Sequence, residues 1–406
     1  MTNIPASYGL GTHAVHVGEG EDALQAHIAP IYQTSTFTVD DPHDYAAMAS
    51  GDRPGYTYTR FNNPTVAHAE RKLAALEGLG LRRQGVEVAA KIFASGMAAI
   101  GNAVLARAHA GDHVVLQDQL YGSSHGFFHE LMPDFGITFS HFDPHKPGAL
   151  EGELEAHPNT KLVYVETPAN PTLKIVDLAE IAEIAHARGA WVIADNTFAT
   201  PFCQRPLELG VDVVVQSTTK YLSGHGVIIS GAVISAHTDY IKRDIGKIVR
   251  FAGPSPSPFD CWLLNLGLKT FEVRMERHCA NALVVARHLA PHPKVERVLY
   301  PGLETHLFHD VAARQMPGGF GGMLSFELRG GMEAGIALMR HMRLPALAVS
   351  LGNVDSMIQH PASMTHRGVP REDRLRLGIS DGLVRFSVGI ENVEDILDDL
   401  DQALKA

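Results

Sequence analysis

Four short apolar runs mark the middle of the chain: His113-Val-Val-Leu116, Leu162-Val-Tyr-Val165, Trp191-Val-Ile-Ala194 and Val211-Asp-Val-Val-Val215. Each is apolar at successive positions rather than at alternate ones, and each is bounded by turn residues. That is the pattern of strands buried on both faces, as in a parallel sheet. Helical periodicity precedes them at Val66–Leu79 and intervenes at Leu178–Arg188, so the spacing predicts a βαβ series and a mainly parallel sheet. Residues 1–64 are different: rich in Gly, Pro, Thr and Tyr, they show little helical period and end in Gly55-Tyr-Thr-Tyr-Thr-Arg-Phe-Asn-Asn-Pro64. They predict an extended arm that packs on a neighbouring subunit. Pro254-Ser-Pro-Ser-Pro258 marks a boundary, followed by one long helical stretch, Phe259–His288, a strand at Met323–Glu327 and an amphipathic helix from Val393 to Ala406. The expected architecture is α/β: an arm (1–64), a large α/β domain (65–256) and a smaller α+β C-terminal domain (257–406).

Composition narrows the function classes. The chain has 406 residues, 45% of them hydrophobic and 19% charged, with a formal net charge of −11. An acidic balance argues against a nucleic-acid surface, and no apolar run reaches the ~18 residues of a membrane span. The first residues lack the basic and apolar regions of a signal peptide, so a cytoplasmic protein is expected. Three cysteines (Cys203, Cys261, Cys279) without CxxC spacing predict neither a disulfide framework nor a zinc site. His125 and His129 stand four residues apart, but no HExxH accompanies them and no metal is expected. Gly9-Leu-Gly11 and Gly318-Gly-Phe-Gly321 lack the strand-to-helix context of a dinucleotide fingerprint.

Polar groups follow the predicted strands: Tyr121 after the first, Asn170 after the second, Asp195 after the third, and Ser217, Thr219 and Lys220 after the fourth. Ligands of open α/β sheets bind outside the carboxyl ends of the strands, so these residues are expected to converge. Lys220, flanked by hydroxyls in Ser217-Thr-Thr-Lys-Tyr-Leu-Ser-Gly224, suits imine formation, because partial burial lowers an amine's pKa; its bland alternative is a surface lysine capping a loop. Asp195 suits a protonated pyridine nitrogen, or else caps the next helix. Ala94-Ser-Gly-Met-Ala98 enters an Ala-rich helix, whose first amides favour an anion or simply form a capped, close-packed start. Tyr121 offers a ring to stack on, and Asn170 a donor to a phenolate oxygen or a turn. Each feature is weak alone, but the set meets every demand of pyridoxal 5′-phosphate (PLP).

With these motifs the chain resembles the Cys/Met-metabolism branch of fold-type I PLP enzymes, which contains cystathionine γ-synthases and lyases, methionine γ-lyases and homoserine-ester sulfhydrylases. The resemblance runs from about Gly11 to the C-terminus. It rests on Tyr58-Thr-Arg60 with Asn63-Pro-Thr65, Ser95-Gly-Met97, Tyr121-Gly122, Glu166-Thr-Pro-Ala-Asn-Pro171, Asp195-Asn-Thr197, Ser217-Thr-Thr-Lys-Tyr221, Ser350-Leu-Gly352 and Arg385-Phe-Ser-Val-Gly389. It implies that Lys220 forms the Schiff base, Asp195 partners the ring nitrogen and Tyr121 stacks on the ring and donates a proton. Ser95, Gly96, Met97, Ser217 and Thr219 are implied around the phosphate, with Tyr58 and Arg60 reaching the phosphate of a neighbouring subunit. Arg385, with Ser350 and Asn170, is implied to hold the substrate carboxylate, and the assembly to be a homotetramer built from active-site-sharing dimers.

Three positions bear on the substrate. Cystathionine lyases typically have acidic residues where this chain has Thr57 and Val349, and losing two such charges weakens recognition of a distal ammonium-carboxylate end. Val349 and Gln359-His-Pro-Ala-Ser-Met-Thr-His366 look more like methionine γ-lyases, although those usually have Cys where this chain has Ser123. The expectation is γ-elimination on L-methionine. The alternatives are a cystathionine γ-lyase or γ-synthase, an O-acyl-homoserine sulfhydrylase, and, in another class, a non-catalytic PLP-binding protein.

Overall fold

A computed structural model of the chain describes residues 4–405 except 21 and 23. Its larger sheet contains β1 (Ala89–Phe93), β2 (His113–Gln117), β3 (Thr138–Phe142), β4 (Thr160–Glu166), β5 (Trp191–Asp195), β6 (Val213–Gln216) and β7 (Gly231–Ser235). Their order is β1-β7-β6-β5-β4-β2-β3. The run from β6 to β3 is parallel, whereas β7 is antiparallel to both β6 and β1.

The uninterrupted apolar runs are explained by burial on both faces. Val115, Val163, Val192 and Val214 point into one core layer, while Leu116, Leu162, Ile193 and Val215 point into the other. Helix Gly96–Leu105 belongs to the second layer and helix Leu178–Ala187 to the first. A second sheet follows: β8 (Val295–Leu299), β9 (Met323–Leu328), β10 (Ala346–Leu347), β11 (Met357–Gln359) and β12 (Leu383–Ser387), in the order β10-β11-β12-β9-β8. Its core is shared with helix Val393–Lys405 through Phe326, Phe386, Ile396 and Leu400.

Two expectations change. The N-terminal segment is not uniformly extended: Leu10–His16 and Pro42–Ser50 are helices, and Leu10, His13 and Ala14 are buried on the chain's own core. The helical stretch after Pro258 is two helices, Pro258–Lys269 and Phe271–Leu289. Close packing accounts for the break at Thr270. A Cβ on Gly267 would lie 2.3 Å from the Ser223 carbonyl, so the first helix can end hard against the loop after Lys220. Arg274, 3% exposed, fills the corner by donating to the carbonyls of Tyr221 (2.7 Å), Leu222 (3.3 Å) and Gly267 (2.7 Å).

Removing that guanidinium takes the donor from the Tyr221 and Leu222 carbonyls, each costing roughly 1–3 kcal/mol if buried without a partner, whereas the Gly267 carbonyl keeps the Thr270 N–H and hydroxyl. Arg274→Met is therefore expected to lower the urea-unfolding midpoint of the cofactor-free protein by an amount equivalent to at least ~2 kcal/mol. An unchanged midpoint would mean that the loop does not depend on this clamp.

Candidate active site

Lys220 lies in the turn after β6, its amide bonded to the Ser217 carbonyl at 3.1 Å and its carbonyl accepting the Gly224 N–H at 2.8 Å. Its Nζ donates to Ser350 Oγ at 2.6 Å, across the junction between the two sheets. Burial, reinforced by the positive charge of Arg385, pushes the amine down to about 8. Gly352 makes the approach possible: a Cβ there would lie 2.6 Å from the Tyr221 amide, and its φ is 77°.

Arg385, on β12, is 5% exposed. It donates through Nη2 to the Ser350 carbonyl at 2.5 Å and through Nη1 to Asn170 Oδ1 at 3.2 Å. Gln359 sits opposite it in the β11–β12 ladder, and its amide oxygen, turned toward the guanidinium, accepts from Nε at 3.0 Å and Nη1 at 3.2 Å. Ser350 is held at φ 96°, a region that costs a non-glycine residue about 1–3 kcal/mol. Its backbone is thus bent so that hydroxyl and carbonyl serve Lys220 and Arg385 at once.

Asp195 and Glu166 end neighbouring parallel strands and are register partners. Asp195 Oδ1 accepts the Thr197 N–H at 2.9 Å, and burial raises its pKa. Glu166 Oε2 accepts the Tyr121 N–H at 2.7 Å. Burial first, and the Asp195 charge second, push Glu166 up to about 8. The Tyr121 side chain stays 46% exposed over the cleft.

Helix Gly96–Leu105 begins beside the same cleft. Ser95 Oγ caps it by accepting the Ala98 N–H at 3.0 Å, and Gly96 has no Cβ because one would come within 2.9 Å of Ser217 Cβ. Ser217 therefore lies against the helix start, with Met97 one residue further along. Thr219 is differently engaged: its hydroxyl donates to the Ser230 carbonyl at 3.0 Å and accepts the Ser230 N–H at 2.9 Å, so its single proton is spent.

The structure thus brings Lys220, Ser350, Arg385 and Asn170 into one hydrogen-bonded group, and packs Ser217 against the helix start at Ser95 and Gly96. Tyr58 and Arg60 join neither group through the contacts they make within this chain. Arg60 donates to the Arg250 carbonyl and lies 4.5 Å from the Phe61 ring centre and 5.4 Å from that of Tyr58. Ser123 faces an open groove of about 650 Å³ between helix Gly96–Leu105 and the segment after Tyr121, lined also by Met97 and Phe127. Val349, beside Ser350, is 57% exposed. Glu166 and Gln359 were not assigned roles from sequence; their signal was position, one at the end of a strand beside Asp195, the other facing Arg385 across a ladder. Among the described residues no group of three or more His, Cys, Asp or Glu side chains is arranged as a metal site.

PLP fits these groups part by part. The Lys220 amine has the depressed pKa of a nucleophile, the Asp195 carboxylate can face a protonated ring nitrogen, and the start of a ten-residue helix beside Gly96 and Ser217 suits a phosphate.

Residues 11–405 match the family model described as Cys/Met metabolism PLP-dependent enzyme. The chain belongs to this family. Similar members of the Cys/Met-metabolism family include an L-methionine gamma-lyase of Fusobacterium nucleatum subsp. polymorphum, 46% identical over 98% of each chain. A cystathionine beta-lyase of Coxiella burnetii is 43% identical over 97% of each. The crystal structure of cystathionine gamma synthase from Xanthomonas oryzae pv. oryzae, in complex with aminoacrylate and cysteine, superposes with TM-score 0.90 at 39% identity, covering 99% of this chain and 98% of that one. As a Cys/Met-metabolism enzyme the chain is PLP-dependent, of the carbon–sulfur lyase and γ-replacement group.

The depressed lysine has a thermodynamic signature. Between about 8 and its ordinary value of 10.5, an unfolded Lys220 binds a proton that the folded one has released. The group therefore makes the cofactor-free protein more stable as pH rises through that window. Lys220→Met is expected to remove this increment, seen as a smaller gain in unfolding free energy from pH 8 to 10; an identical pH dependence would place the amine in solvent.

Proposed function

We propose that this enzyme cleaves L-methionine by γ-elimination, giving 2-oxobutanoate, ammonia and methanethiol with the uptake of one water. The observation that carries the reading is the Lys220 amine, its pKa lowered to about 8, 2.6 Å from Ser350 Oγ, whose chain neighbour is the apolar Val349. The chain's similarity to methionine gamma-lyases at 41–46% identity supports it.

Bound PLP supplies an electron sink for the negative charge that develops on the substrate carbons. Lys220 would anchor it, with Asp195 at its ring nitrogen, Tyr121 over its face and Ser95, Gly96, Met97, Ser217 and Thr219 near its phosphate. Thr219 would have to release Ser230 to donate there. Arg385 and Asn170 orient the substrate carboxylate; the planar guanidinium can offer it two parallel donors once Nη1 and Nη2 release Asn170 Oδ1 and the Ser350 carbonyl. Once the substrate's amino group has taken its place, the freed Lys220 amine can accept the proton from the substrate's Cα, and, after passing that proton on and becoming neutral again, accept one from Cβ. The Tyr121 hydroxyl gives its proton to the departing sulfur. Val349 presents an apolar wall to the thiomethyl group, and Ser123 leaves the neighbouring wall small.

A second reading has support of its own: the similarity to the cystathionine gamma synthase structure favours replacement of the γ-substituent by a thiol instead of its loss. Incubation with L-methionine, L-cystathionine and an O-acyl-homoserine plus sulfide separates them. The first reading expects 2-oxobutanoate and methanethiol from methionine, at a rate that falls by ~10³-fold or more in Lys220→Ala. Homocysteine from the acyl-homoserine, with no 2-oxobutanoate from methionine, would replace it with the second.

We also propose that the site is completed by a neighbouring subunit in a cytoplasmic homotetramer. Tyr58 and Arg60 are exposed, and no helix among the described residues is long and apolar enough to cross a membrane. Arg60→Ala is expected to weaken PLP retention by roughly 10- to 100-fold, the equivalent of one charged hydrogen bond, as read by equilibrium dialysis. Unchanged retention in an assembled oligomer would exclude a shared phosphate contact.

A further inference from the structure

Glu166 is 5% exposed, and the proposed reaction leaves it unused. The parallel register of β4 on β5 sets it beside Asp195 on the same face of the sheet. Two carboxylates in so dry a place cannot both ionise without repulsion that no solvent screens, so one keeps a proton. The surroundings choose which. Asp195 takes the Thr197 N–H at 2.9 Å and is the more accessible of the two, so that a cationic ring nitrogen can favour its charge. Glu166 is the more enclosed, at 5% exposed. A hydrogen bond of 3.1 Å joins its Oε1 to the Tyr164 hydroxyl, while Oε2 accepts the Tyr121 N–H at 2.7 Å.

Tyr121 needs such an anchor. It stands immediately before the short helix Gly122–Gly126 with its ring 46% exposed, and its backbone N–H is tied to the sheet through Glu166. We propose that Glu166 is a positioning residue: as a neutral acid it tethers the Tyr121 backbone to β4 and leaves Asp195 the single anion available to the cofactor's ring nitrogen. This rests on the reading of Lys220, Asp195 and Tyr121 as the PLP site.

The groups around the carboxyl agree. They are Asp195 on β5, Tyr164 on β4 itself, and Ser124 and the Tyr121 amide from the segment after β2; on β2, Gln117 Oε1 accepts the Glu166 backbone N–H at 3.0 Å. Among these the one formal charge is the negative Asp195, which together with burial holds the Glu166 proton up to about pH 8. Above that pH Glu166 ionises. Its Oε2 still accepts the Tyr121 N–H, so the tether survives; what changes is that a second negative charge appears near the ring nitrogen.

Glutamine tests this because it copies the neutral acid: its amide oxygen accepts the Tyr121 N–H, its NH₂ donates to the Tyr164 oxygen, and it never titrates. Wild-type, Glu166→Gln and Glu166→Ala proteins are loaded with PLP, and cofactor retention and the visible PLP band are followed from pH 6 to 10. Glu166→Ala is expected to lose retention about tenfold or more, and Glu166→Gln to restore most of it. The alkaline change of the wild-type band should be shifted or reduced in Glu166→Gln, although Lys220 is intact there. An alkaline phase with the same midpoint and amplitude in Glu166→Gln as in wild type, or a Glu166→Gln protein with native circular dichroism that retains PLP no better than Glu166→Ala, overturns the proposal. If Glu166→Ala does not fold, the pH comparison of wild type with Glu166→Gln still decides. A wild-type protein that takes up no PLP refutes the underlying site instead, before any variant is compared.

Discussion

Lys220 Nζ lies 2.6 Å from Ser350 Oγ, and this contact closes one sheet of the molecule onto the other. Lys220 follows β6 of the parallel sheet; Ser350 precedes β11 of the second sheet and is tied by its carbonyl to Arg385 on β12. A lysine in water is fully charged at neutral pH and a poor nucleophile. Here burial, and second the Arg385 guanidinium that repels its proton, lower its pKa, and that guanidinium comes from the other sheet. Reactivity at Lys220 is therefore a property of the junction, not of the loop that carries the residue.

The rest of the architecture serves that junction. Arg274 ties the Tyr221 and Leu222 carbonyls, which follow Lys220, to the Gly267 carbonyl of helix Pro258–Lys269, and the helix break at Thr270 makes room for it. Ser350 is held in a costly backbone conformation because two partners must be met from one residue. Beneath the cleft, the register of β4 on β5 creates a carboxylate pair whose one remaining proton separates two tasks, charge for Asp195 and anchorage for Glu166.

Much of this was legible in the chain. The strands and the helix at Leu178 were visible because burial on both faces writes continuous apolar runs, and the terminal polar residues marked the cleft edge. The family motifs carried PLP dependence, which the match over residues 11–405 bears out. The break at Thr270 was invisible, since both helices have unbroken periodicity and the cause is a distant loop packed on Gly267. The helix Leu10–His16 was missed for a related reason: its few apolar positions make sense only once the core they cover is known. Thr219, a hydroxyl beside the lysine in sequence, turns out to bind Ser230, eleven positions later.

By itself the sequence determined the local chemistry: which residues can form strands, where a helix can be capped, and which side chains carry an amine, a carboxylate or a guanidinium. These depend on neighbours within a few positions. Only the tertiary structure decided what state those groups are in. The pKa of Lys220 depends on Arg385, that of Glu166 on Asp195, and the orientation of Arg385 on Gln359, Asn170 and Ser350. Charge and hydrogen bonding act through space, over a few ångströms, and the residues that set them are brought that close only by folding.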